Sequence, residues 1–152
     1  MPLLVSSNRD VFYKIQLWLF NFCVHVGSIK KSYFYVYDET VGGKGQNEVA
    51  SLLLYFVNTY LSSEVTDLYI FSGNCSSQNK NYMLLQFFYT LVDTGRFTKI
   101  HHRYPEPGHS FLLGDRSFGL IELQKKKHDK MYLPRDYINI IQGSSKHFLV
   151  KR

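Results

Sequence analysis

The chain has 152 residues, 45% of them hydrophobic and 20% charged, which excludes disordered, collagen-like and low-complexity classes and suits one globular domain. Twelve Tyr, twelve Phe and one Trp supply ample material for a packed core. Lys and Arg number 18 against 12 Asp and Glu, and the resulting charge of +6 favours approach to a polyanion.

Much of that excess sits in Lys30-Lys31, Lys125-Lys126-Lys127 and Lys151-Arg152, runs that are more often solvated faces than binding sites. Cys23 and Cys75 stand far apart with no C-x-x-C between them, so they form neither a disulfide framework nor a zinc signature. An intracellular setting, nuclear or cytoplasmic, is the expectation. No basic segment precedes the short Leu3-Leu4-Val5 run, and the windows at 52–57 and 87–92 fall well below the roughly 20 apolar residues that cross a bilayer. No membrane partner is expected, and no small-molecule substrate is indicated. Asn74-Cys75-Ser76 matches a glycosylation acceptor and reads as an ordinary loop.

In chain order, residues 11–26 are rich in aromatic and β-branched side chains and predict a long strand ended by Gly27. Residues 33–37 (YFYVY) predict a second strand in an antiparallel hairpin with the first, with Asp38 at its end. After the breaker at 41–45, Asn47-Glu48 opens a helix to about Leu61, with Val49, Leu52, Leu53, Phe56 and Tyr60 on one face. A buried strand is predicted over 65–72, then a polar loop and a helix from about Gln78 to Asp93 closed by Gly95. A strand over 97–103 follows, before Pro105 and Pro107 impose a loop. Ser110 is a candidate cap for a helix running to Lys127, weakened by Gly114 and Gly119. Pro134 suits the first turn of a short helix to about Gln142, and 147–150 suits a terminal strand. The order of elements predicts a single α/β domain over 1–152.

Two conspicuous motifs fail on inspection. The stretch Gly42-Gly43-Lys44-Gly45 lacks the spacing and the Ser/Thr of a phosphate loop, so a plain turn is expected. Adjacent His101 and His102 on a strand point to opposite faces and do not readily ligate one ion, even with His109 near in sequence. A structural or surface role is expected for them. More distinctive are two polar blocks at predicted strand ends, Ser72–Asn81 and Gly108–Glu122. Functional groups gather at strand ends in open α/β sheets. On a continuous helix Asp115 and Glu122, seven apart, share a face beside Arg116. Pattern alone leaves two roles open for these acids, as site ligands or as charges that cap and solubilise a helix end.

These blocks carry a resemblance. The chain offers Tyr37-Asp38-Glu39, then Gly43-Lys44-Gly45-Gln46-Asn47-Glu48, then Ser72-Gly73-Asn74-Cys75-Ser76-Ser77-Gln78-Asn79-Lys80-Asn81, then Gly108–Glu122. In that order they resemble W-D-E, R-G-x-N-E, S-D-N-C-x-G-Q-N-K-N and G-H-S-F-x-x-x-D-R-x-F-G-x-I-E of a transposon-associated family of ribonuclease-H-like domains. The similarity runs from about Phe12 to Val150. It implies a mixed sheet flanked by helices, and a nuclease or transposase core in which carboxylates hold two Mg²⁺ or Mn²⁺ ions at a phosphodiester. By match, Asp115 is the leading metal ligand, with Glu122 and His109 in support and Asp38 as a further acid.

Two departures oppose that chemistry. Gly73 replaces the Asp of S-D-N-C, which removes a negative ligand. The family's first strand, with its own Asp, has no counterpart here, so the sheet is expected to lack its central strand unless Pro2–Ser6 fills the gap. Asp38, two strands away at about 9 to 10 Å, does not substitute. The expectation is therefore a degenerate, mobile-element-derived domain, inactive as a nuclease and needing no cofactor. It would retain affinity for nucleic acid through Lys80, Arg116, Lys125, Lys126 and Lys127. The competing expectations are an active metal nuclease using Asp38, Asp115 and Glu122, and a module that pairs with a related full-length protein through an exposed sheet edge.

Overall fold

The structure, a computed structural model, describes residues 17–106, 112–128, 131 and 133–152. It is an α/β fold with five strands in two sheets and four helices among the described residues. The sequence suggests one domain over 1–152. The chain divides into two compact units, one made of the residues up to Gly43 together with Leu113–Arg152, the other of Lys44–Leu112.

In the first unit β1 (Leu19–Val26) and β2 (Lys31–Asp38) form the expected antiparallel hairpin, in register from Leu19 with Asp38 to Val26 with Lys31. The chain reverses over Gly27–Lys30, and Lys30 takes a left-handed φ of 52° to do so. β5 (Phe148–Lys151) adds to β2 in parallel, giving the order β1-β2-β5. With a neighbour on each side, β2 is buried from Ser32 through Val36, which explains a strand that is almost continuously apolar rather than alternating.

α3 (Leu113–Lys125) and α4 (Pro134–Ser144) complete this unit. Phe34 meets Phe118 edge-on at 5.7 Å and Phe148 at 4.9 Å, within a core shared by Leu19, Val36, Ile121, Tyr137 and Ile141. α3 is the helix expected towards Lys127, continuous through Gly114 and Gly119 although these residues weaken it. Buried Ser117 and Ile121 anchor it, and this tertiary packing outweighs the roughly 1 kcal/mol helix penalty of each glycine. Pro134 does occupy the first turn of α4, where Asp136 Oδ2 accepts the Leu133 N–H at 3.0 Å.

The second unit contains α1 (Gln46–Tyr60), β3 (Asp67–Phe71), α2 (Tyr82–Asp93) and β4 (Lys99–Arg103). β3 and β4 pair in parallel and in register, Asp67 with Lys99 through Phe71 with Arg103. Val49, Ala50, Phe56, Val57, Leu84, Phe88, Leu91 and Phe97 are its buried apolar side chains among the described residues. At the start of α1, Glu48 Oε2 accepts the Gly45 N–H at 3.0 Å.

α2 starts four residues later than Gln78, because Asn81 Oδ1 accepts the Leu84 N–H at 2.8 Å and so fixes the cap there. It ends as expected at Gly95, whose φ of 74° lets Gly95 N–H donate to Val92 O at 3.0 Å and Arg96 N–H to Leu91 O at 3.0 Å. The other strand limits differ from the predicted ones by a few residues at frayed ends. Pro2–Ser6, the proposed filler of the missing strand, and 11–16 of the predicted first strand lie outside the described residues.

Arg96 ties this unit together. Its guanidinium donates to Leu61 O at 3.2 Å and Ser62 O at 3.1 Å, past the end of α1, and to Val65 O at 3.2 Å, before β3, while lying 4.4 Å from the Phe97 ring centroid. Arg96→Ala should therefore lower stability by about 1–3 kcal/mol in urea unfolding, and Arg96→Lys should recover only part of it, since one ammonium does not reproduce the planar fork. An Arg96→Ala midpoint equal to that of the parent would contradict this role.

Candidate functional site

The polar block Ser72–Asn81 fills the space between the end of β3 and the start of α2. Three successive N–H groups, those of Gln78, Asn79 and Lys80, donate to the single carbonyl of Cys75 at 3.3, 2.7 and 3.0 Å, which coils the loop into a turn. Side-chain amides then fasten it: Asn79 Nδ2 donates to Gly73 O at 3.2 Å, and Asn81 Nδ2 to Ser76 O at 3.2 Å.

A second set of bonds ties the block to β4. Tyr104 O–H donates to Asn79 O at 2.9 Å, and the same hydroxyl lies 3.1 Å from His102 Nδ1, while His102 Nε2 lies 2.7 Å from Ser72 Oγ. Tyr104 has one hydrogen, already donated to a carbonyl, so Nδ1 must be the donor in its bond to Tyr104. That leaves the Nε2 lone pair to accept from the Ser72 hydroxyl. The bonds run in one direction, from Ser72 through His102 and Tyr104 to Asn79, given a neutral imidazole, since a protonated Nε2 would instead donate to Ser72. Burial against Phe88, edge-on at 5.1 Å, favours the neutral ring by lowering the His102 pKa.

Gly73, the position where the motif comparison expects an acid, lies inside this block. A Cβ added there would come no nearer than 3.9 Å to any neighbour, the nearest being Asn79 Nδ2, so packing does not demand glycine. Lys80 is exposed and holds its Nζ 5.4 Å from the Tyr104 ring centroid. Cys75 is exposed, and the Ser77 hydroxyl 3.2 Å from its sulfur lowers its pKa below the ordinary thiol value.

The remaining predicted positions among the described residues belong to the first unit. The Asp38 carboxylate accepts from both the hydroxyl and the N–H of Thr40, the latter at 3.1 Å, and Arg152 Nη2 approaches it at 4.0 Å. The Thr40 hydroxyl chiefly, with the Thr40 N–H and Arg152, holds its pKa below the usual carboxylate range. Asp115 lies in the first turn of α3, where an acid complements the helix dipole, and near enough to Cys23 to help raise that thiol. Burial is the main cause there, pushing Cys23 up to about 12.

Glu122, on the same helix, is ion-paired with Lys125 at 3.5 Å. Seven residues separate it from Asp115, about 10.5 Å along the axis, so sharing a face does not bring the two carboxylates together. Arg116, Lys126 and Lys127 are exposed, and His109 lies outside the described residues. Among the described residues no three His, Cys, Asp or Glu side chains gather as metal ligands would. Between β1 and α3 there is a hydroxyl cluster instead: Ser32 Oγ lies 2.9 Å from both His25 Nδ1 and Ser117 Oγ.

A domain of unknown function, DUF7869, matches residues 9–148. The chain belongs to the DUF7869 family. No curated protein and no solved structure matches it. In this DUF7869 chain no helix among the described residues is long and apolar enough to cross a membrane.

Sequence reasoning found the Ser72–Asn81 block but missed His102 and Tyr104 as the residues that clamp it. The available signal was their spacing of two across the end of a strand, with His102 against Phe88 of α2 and Tyr104, just past β4, against His102 and the loop before α2. The opposite orientation of His101 was anticipated: its ring stacks on Tyr69 at 4.6 Å.

The lowered pKa of His102 has a consequence with a definite sign. The unfolded chain takes up the proton first, so the stabilisation is present above the ordinary histidine value of 6.5 and is lost as pH falls below it; His25, also lowered by burial, acts in the same direction. Urea midpoints should drop between pH 7.5 and pH 5, and His102→Gln should show a shallower drop. Identical pH dependence in the variant would remove His102 from this role.

Proposed function

We propose that this chain is a nuclease-like domain, derived from a mobile element, that binds nucleic acid without cleaving it. One observation carries the reading. The strand-end position to which the motif comparison gives a carboxylate is Gly73, whose carbonyl already accepts the Asn79 amide. Two-metal phosphodiester cleavage needs several anionic oxygens around ions about 3.5–4 Å apart. Asp38 is occupied by Thr40 and Arg152, Glu122 by Lys125, and Asp115 and Glu122 stand two turns apart on α3. These placements do not suit a pair of divalent ions.

The cationic side chains support the binding half of the reading. Lys80 in the second unit and Arg116, Lys126 and Lys127 in the first are exposed, Lys125 lies in the last turn of α3, and the chain carries a net +6. Such groups neutralise phosphates without reading sequence.

Anisotropy of a labelled DNA duplex should show affinity falling linearly with salt on logarithmic axes. Replacing Lys126 and Lys127 with Ser should reduce that slope by about 0.9 for each phosphate that is no longer neutralised. In the same samples Mg²⁺ or Mn²⁺ should produce no cleavage. Metal-dependent cleavage that Asp115→Ala abolishes would overturn the reading in favour of an active nuclease. Absence of binding even at low salt would overturn its nucleic-acid half.

A further inference from the structure

The β3–β4 pair has two unlike faces. In-register parallel pairing places Leu68, Ile70, Ile100 and His102 on one, and Asp67, Tyr69, Phe71, Lys99, His101 and Arg103 on the other. The first face is packed, with Phe88 of α2 against His102. The second is open: Tyr69 is 59% exposed and Phe71 57% exposed, although both sit in the middle or at the end of a paired strand. The Tyr69 and His101 rings lie parallel, 7° apart in tilt with centroids at 4.6 Å, so they form one flat-sided aromatic plate.

Cations flank that plate. Lys99 lies two positions before His101 and Arg103 two positions after it, both exposed, and Arg103 stands directly across from Phe71. The acid on this face, Asp67, sits across from Lys99 and accepts from Thr66 Oγ1 at 3.0 Å. Rings interleaved with cations on one sheet face are what unpaired nucleic acid requires: every base offers a π-face, and the backbone alongside is anionic. Residues on one face of a strand repeat every 6.6 to 6.8 Å or so, about twice the rise of roughly 3.4 Å per nucleotide. A duplex hides the faces of its bases and gains nothing from such rings.

We propose that this face is a binding site for single-stranded nucleic acid, with bases stacking on the Tyr69–His101 plate and on Phe71 and phosphates meeting Lys99 and Arg103. The inference rests on the nucleic-acid reading above and adds to it a second set of residues, other than the lysine run at the end of α3, that selects unpaired strands.

The test compares a labelled oligothymidine with a duplex of equal length, using the full chain and the variants Tyr69→Leu, Tyr69→Trp and Lys126→Ser with Lys127→Ser. Tyr69→Leu keeps an exposed apolar group but removes the π-face, so it should weaken single-strand binding by about tenfold and leave duplex binding within about twofold. Tyr69→Trp should retain the single-strand affinity. Circular dichroism of both variants checks that the fold is kept, as their exposed position leads one to expect. Unchanged single-strand affinity in Tyr69→Leu, or equal losses for both polymers, would overturn this site while the lysine-dependent duplex binding stood. No binding of either polymer would overturn both readings. A parent dimer in size-exclusion chromatography that Tyr69→Leu dissociates would show the face to be an interface between copies instead, and would overturn the proposal.

Discussion

A one-way sequence of hydrogen bonds from Ser72 through His102 and Tyr104 to the carbonyl of Asn79 governs the second unit. It joins the end of β3, the end of β4 and the turn before α2 through side chains, beside the backbone bond from Ser72 N–H to Arg103 O at 3.2 Å and the Asn79 amide on Gly73 O. Partly buried polar atoms must be partnered, and each bond here fixes the direction of the next. Because the Tyr104 hydrogen is given to a carbonyl, the tautomer of His102 and the orientation of the Ser72 hydroxyl both follow. The most motif-like stretch of the chain therefore has Ser72, Asn79 and Asn81 bound up in holding a loop at the strand ends, together with the His102 imidazole from β4.

The same logic accounts for the carboxylates. Asp38 closes the turn after β2 through Thr40, Glu122 pairs with Lys125 one turn ahead, and Asp115 sits where the dipole of α3 favours it. Each has a local physical reason to be where it is. What remains for a partner is surface: exposed lysines and arginines, and the aromatic face of β3 and β4. An anionic polymer meets such groups without any need for convergent acids.

The regular elements were largely legible because their signals are local. The YFYVY run, the spaced apolar positions of α1 and the Gly95 stop each depend on a few neighbouring residues, and each reappears in the structure. The start of α2 was not legible, because the Cys75 carbonyl gathers three N–H groups into a turn that no periodicity announces, and the Asn81 cap then fixes the helix start. The helix at α3 was legible but weakly so, since Gly114 and Gly119 lower intrinsic propensity while burial of Ile121 restores the helix from outside it. For the site, adjacency of His101 and His102 disclosed that they face apart, but the partner of His102 lies thirty positions away in Ser72. Strand alternation also contained the pattern Tyr69-x-Phe71 beside Lys99-x-His101-x-Arg103; its meaning appears only once the two strands are seen to pair in register.

The direction of the His102 bonds is open to direct observation. Nitrogen-15 NMR of histidine-labelled protein at neutral pH, with the His102 signals assigned through a His102→Gln variant, reports which ring nitrogen carries the hydrogen. The account predicts a single neutral tautomer protonated at Nδ1, with Nε2 bare and accepting from Ser72. A ring protonated at Nε2, or one averaging between the two tautomers as a free imidazole does, would contradict it.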